Sequence, residues 1–95
     1  MEHNNLSRAE IIVKGKVQGV GFRRFVEKEA ERIDVQGFTE NLDDGNVRIV
    51  AEGFKSQLAD LLKSVETGPQ FSQVEECCVE WHDFKNEFHG FSIKR

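Results

Sequence analysis

The sequence predicts an α+β sandwich: one antiparallel sheet with two helices on one face. Three observations carry that prediction. Residues 22–34 and 54–67 repeat apolar side chains at helical spacing. Other stretches alternate polar and apolar residues, or cluster β-branched ones, over strand lengths. The segments follow the order strand, helix, strand, strand, helix, strand, with a further short strand at the end.

Residues 1–8 are polar and read as a flexible tail, leaving 9–95 as a single domain. Ile11, Ile12 and Val13 suit a strand over 9–14 buried on at least one face. A glycine-rich loop follows. Phe22, Phe25, Val26, Ala30 and Ile33 then mark one face of a helix over 22–34. Residues 35–42 read as a second strand, with Phe38 and Leu42 sharing a face. Asp43-Asp44-Gly45 is a turn signal, and 46–52 returns as a third strand with Val47, Ile49 and Ala51 on one face. Gly53 ends this hairpin. Leu58, Leu61, Leu62 and Val65 define a second helix over 54–67, stopped by Gly68-Pro69.

In a fourth strand over 73–84, Cys77, Val79 and Trp81 share a face, and Val74 falls out of phase with them, which predicts a bulge. A last strand over 88–94 turns Phe91 and Ile93 inward. Two right-handed crossovers interleaved in this order give a split β-α-β, or ferredoxin-like, sandwich.

With 95 residues, 38% hydrophobic and 32% charged, the chain reads as one globular domain rather than a disordered one. No apolar stretch approaches the roughly 20 residues a membrane span needs, and the polar N-terminus lacks the apolar core of a signal peptide. A cytoplasmic, monomeric protein that engages no membrane is the expectation. Cys77 and Cys78 are adjacent and point to opposite faces of a strand, so they read as reduced thiols. The net charge of −4 and the alternating signs along 27–32 argue against a nucleic-acid partner. His3, His82 and His89 share no metal-ligand spacing.

The stretch that carries chemistry runs from Val13 to Arg23. Gly15, Gly19 and Gly21 punctuate it just before a helix begins. Glycines that open a helix leave backbone N–H groups free at the positive end of its dipole, where anions bind. Arg23 falls in the first helical turn, where a guanidinium fork could close on the same anion. On spacing alone, a strand-to-helix turn that needs glycine only for its geometry is an equal reading. The stretch lacks the Gly-Lys-Ser/Thr ending of a nucleotide-binding P-loop and the third glycine of a dinucleotide fingerprint. A second candidate, Asn41, closes the second strand. Its carboxamide could hold a water, although in isolation an asparagine before Asp-Asp-Gly is more simply a turn residue. Arg24 reads first as a surface residue, with electrostatic help to Arg23 as the lesser alternative.

Taken together, Gly15-Lys16-Val17-Gln18-Gly19-Val20-Gly21-Phe22-Arg23 resembles the signature loop of the acylphosphatases. The similarity continues through Gly37-Phe38, Asn41 to Val47, Gly53, Gly68-Pro69, Val74 and Phe91-Ser92-Ile93. The resemblance implies a ferredoxin-like hydrolase that cleaves the carboxyl–phosphate bond of small acyl phosphates and releases inorganic phosphate. It implies that Arg23 binds the phosphate together with the backbone amides of Gln18, Gly19, Val20, Gly21 and Phe22. It implies that Asn41 orients the attacking water, with no metal, cofactor or covalent intermediate. The chain departs from the family pattern at Thr39 and Glu40, and Glu40 is expected to point away from Asn41 on a regular strand. The rival readings are a related domain that handles carbamoyl phosphate inside larger proteins and a non-catalytic ferredoxin-like binding module. The third strand offers no aromatic platform for single-stranded RNA.

Overall fold

The computed structural model describes residues 5–95. The chain runs β1 (Leu6–Lys16), α1 (Phe22–Ile33), β2 (Gln36–Asn41), β3 (Val47–Phe54), α2 (Lys55–Thr67), β4 (Gln73–Asp83) and β5 (Phe91–Lys94). The five strands form one sheet in the order β4-β1-β3-β2-β5. Ala9, Ile11 and Val13 of β1 and Val47, Ile49 and Ala51 of β3 turn toward the helices and are fully buried. Phe22, Val26 and Ala30 of α1 meet them, as do Leu58, Leu61 and Val65 of α2. Each large apolar side chain removed from water in this layer contributes about 1.5–3 kcal/mol.

Several expectations are corrected. The sheet is mixed, because β5 pairs in parallel with β2 while every other pair is antiparallel. β4 finishes at the end of the sheet where β2 begins, and the chain crosses from one edge to the other before it enters β5 at that same end. The tail expected over 1–8 is shorter at its C-terminal end: Leu6, Ser7 and Arg8 pair with Phe54, Gly53 and Glu52 of β3. Its first four residues lie outside the described residues. β3 accordingly runs through Gly53 to Phe54. β5 starts at Phe91 rather than at residue 88.

In β2 the buried residues are Gly37 and Thr39, while Phe38 lies on the face away from the helices and Leu42 lies beyond the strand. Thr39 can be buried because its hydroxyl donates to the Arg48 carbonyl at 3.0 Å. Phe38 packs edge-on against Phe88 of the 84–90 crossing, with ring centroids 5.8 Å apart.

The expected irregularity in β4 is present. The β1–β4 register shifts between Lys14, opposite Glu76, and Gly15, opposite Val74. Gly15 has φ +127°, and a Cβ there would stand 2.1 Å from the Gln73 carbonyl oxygen, so the bulge requires glycine. The shift also brings Val74 and Cys77 onto the same core side, where both pack.

Candidate active site

β1 ends where the glycine loop begins, and Val17 anchors the loop by burying its side chain in the core. Gly19 and Gly21 have φ of 74° and 75°. A Cβ at either position would meet nothing within 4 Å, so these glycines answer to backbone conformation and open space, not to crowding. Gly21 caps α1 with its carbonyl, which accepts from the Phe25 N–H at 3.0 Å. No side chain caps the free N–H groups of the first turn, and that turn holds no acidic residue. It holds Arg23 and Arg24 instead, cations at the positive end of a helix dipole, an unfavourable placement unless an anion binds there.

Arg23 is half-buried and makes one long hydrogen bond, 3.5 Å to the Lys94 carbonyl of β5. Asn41 closes β2 opposite Val47, on the same sheet face as Thr39 and the helices. Glu40 points the other way and pairs with Arg48 at 2.9 Å. Arg23, Asn41, Gly19, Gly21 and Phe22 line a single cleft of about 230 Å³. Gln18 and Val20 do not line it. Val20 packs toward the core. The Gln18 side chain bonds to the hairpin turn, at 2.8 Å to the Leu42 carbonyl and 2.9 Å to that of Asn46.

Sequence reasoning missed three lining residues, Val17, Ile93 and Arg95, and gave Arg24 only a lesser role there. Ile93 and Arg95 reach the cleft because β5 docks beside β2, with Ile93 opposite Thr39. No motif signals that pairing. Arg24 is largely exposed, as a surface residue should be, yet it also lines the cleft and stands 3.8 Å from Glu27. Three arginines and no Asp, Glu or His side chain among the lining residues make the cleft locally positive in a protein of net charge −4.

The histidine spacing gave no metal set, yet Glu10, Glu80 and His82 bring ligating atoms within 4.8 Å of one another on the opposite face of the sheet. The Glu10 carboxylate already receives Arg48 at 2.5 Å, and Arg8 and Lys85 line the same depression. Glu10 is thus already neutralised by Arg48, and the neighbouring Arg8 and Lys85 cations work against a metal ion there.

Residues 9–93 match the family model described as Acylphosphatase. The chain belongs to the acylphosphatase family. It is a hydrolase of that class. It is 41% identical over 95 residues to a protein named acylphosphatase from Salinibacter ruber, covering all of both chains. The crystal structure of acylphosphatase from Bacillus subtilis superposes with a TM-score of 0.90 at 41% identity, over 95% of this chain and 99% of the other. An acylphosphatase from Coxiella burnetii gives 0.89 at 31% identity, over 95% and 94%.

Proposed function

We propose that this protein hydrolyses the carboxyl–phosphate bond of small acyl phosphates, yielding a carboxylate and inorganic phosphate. The observation that carries this reading is the cleft shared by Arg23, the glycine loop and Asn41. Arg23 and the N–H groups around Gly19 to Phe22 hold the phosphoryl oxygens, and the uncapped start of α1 adds its dipole. Asn41 accepts a hydrogen bond from a water and directs it at phosphorus in line with the carboxylate leaving group.

This chemistry suits a cleft whose lining offers no Asp, Glu or His side chain as general acid or base. The leaving carboxylate has a parent acid of pKa about 4–5, so it departs without a general acid. A loose phosphoryl-transfer transition state asks little of its nucleophile and much of the groups that spread charge over the equatorial oxygens. Fixed donors supply that stabilisation. The reading includes a cytoplasmic, monomeric enzyme, its location supported by two free thiols.

The test is turnover of an aryl acyl phosphate, followed by loss of its absorbance, for wild type, Arg23→Ala and Asn41→Ala, with thermal melts alongside. Both variants are expected to fold and to lose at least about 10²-fold in kcat. Full turnover by Arg23→Ala would overturn the mechanism, and no turnover by folded wild type would overturn the activity.

A further inference from the structure

Gln18 stands in the glycine loop, but its side chain reaches away from the cleft to the β2–β3 turn. Its Nε2 donates both hydrogens, to the carbonyls of Leu42 at 2.8 Å and Asn46 at 2.9 Å. Those two carbonyls also close the turn itself. The Leu42 N–H donates to Asn46 O at 2.9 Å, and the Gly45 N–H donates to Leu42 O at 3.2 Å. A carbonyl oxygen has two lone pairs, so Gln18 takes the second on each. Because both neighbours are acceptors, the end of the carboxamide that faces them is its nitrogen.

The remaining side-chain ties of the turn are internal: Asp44 accepts from the Asn46 backbone N–H at 3.0 Å and from its side-chain amide at 3.1 Å. Asp43, Asp44 and Gly45 are exposed. Among the described residues, Gln18 makes the side-chain hydrogen bonds that join the glycine loop to this turn. Asn41 is the residue immediately before it.

We infer that Gln18 is a positioning residue that sets Asn41 in register with the phosphate held by the loop. The inference rests on the acyl phosphate reading above. Phosphate and water are held by different elements: the start of α1 on one side, the end of β2 on the other. In-line attack requires the reacting atoms about 3–3.5 Å apart and aligned, and a shift of about 1 Å can cost about 10²-fold. The Gln18 side chain acts on that alignment through residues 42–46 and reaches neither phosphate nor water. Loosening the clamp therefore lowers kcat through Asn41 and leaves phosphate binding at Arg23 in place.

The test is a double-mutant cycle. Gln18→Met, similar in length but without a donor, is made in wild type and in Asn41→Ala. kcat is measured with an aryl acyl phosphate, and the inhibition constant with inorganic phosphate. In wild type, kcat is expected to fall about 10–50-fold while the inhibition constant moves less than about threefold. In Asn41→Ala the same substitution is expected to cost less than about threefold.

Equal losses in both backgrounds, or an inhibition constant that rises in step with the loss of kcat, would overturn the inference. Should Gln18→Met fail to fold, Gln18→Lys keeps a donor for the two carbonyls. It is expected to stay within about fivefold of wild type in kcat, and a loss beyond about 50-fold in a folded Lys variant would overturn the clamp. An inactive wild type would fail the acyl phosphate reading itself, whereas an active wild type with additive losses would fail only the role of Gln18.

Discussion

Two groups of arginines lie on opposite faces of the sheet, and they differ in what answers their charge. On the face away from the helices, Arg48 meets Glu10 at 2.5 Å and Glu40 at 2.9 Å. Arg8 meets Glu87 and, at 3.4 Å, Glu52. Partial burial by itself works against the Arg48 charge, but the bonds to Glu10 and Glu40 prevail and raise its pKa. At the cleft, Arg23 has a single 3.5 Å bond to a backbone carbonyl and no ion pair among the described residues. The first group is satisfied from within and holds the structure together. Arg23 leaves its donors for something that arrives from solvent.

The paired side also fastens the crossing that makes β5 possible. Glu52 is 3% exposed, and its carboxylate accepts from the backbone N–H groups of Lys85 at 2.6 Å and Glu87 at 3.1 Å. Burial alone would raise its pKa. The two amide bonds and Arg8 outweigh that and hold it below the ordinary 4.5. The crossing in turn delivers Ile93 and Arg95 to the cleft.

The contrast yields opposite expectations for the two sides. Arg23→Ala should lose at least about 10²-fold in turnover and change stability by less than about 0.5 kcal/mol, read by assay and by denaturant unfolding of the same sample. Glu52→Gln should do the reverse, costing about 2 kcal/mol of stability with turnover retained at temperatures where it is folded. A variant on either side that lost both in proportion would erase the distinction.

The effect of acid follows from the same carboxylate. Glu52 has a lowered pKa in the folded state, so it contributes stability above its ordinary value of 4.5, and that contribution is lost as pH falls through the folded value. Unfolding curves should therefore show wild type losing stability below about pH 4.5 more steeply than Glu52→Gln. Parallel curves would remove Glu52 from the account.

The smallest effect concerns the thiols. Cys77 is half-buried, and its thiol is pushed up to about 11, first by burial and then by the charges of Glu66, Cys78 and Glu76. Cys78 is exposed on the other face. An alkylating reagent near pH 8, mapped by mass spectrometry, should modify Cys78 at least about tenfold faster than Cys77. Equal rates would contradict the burial of Cys77.

Much of this was legible in the sequence, for reasons that particular residues make plain. Helix periodicity at 22–34 and 54–67 is strong because each helix has one dry face. Arg23 and Asn41 could be read because each stands at a marked junction, a glycine loop and an Asp-Asp-Gly turn. The phase of β2 was not legible: its inward residues are Gly37, Thr39 and Asn41, and its large apolar residue, Phe38, points outward, which inverts the usual hydrophobic signal. Phe38 tolerates that face because Phe88 and the Lys94 and Arg48 cations cover it. The parallel pairing of β5, the placement of Arg95 and the reach of Gln18 to the turn depend on long-range docking that no local pattern encodes.

The central claim is that Arg23, and not the paired Arg8 and Arg48, receives phosphate. Titrating inorganic phosphate into ¹⁵N-labelled protein tests it most directly. The account predicts saturable shifts of the Gly19 to Phe22 amides and of the Arg23 Nε–H, lost in Arg23→Ala, with Arg8 and Arg48 unmoved. Shifts centred on Arg8 and Arg48, or none at the glycine loop at saturating phosphate, would contradict it.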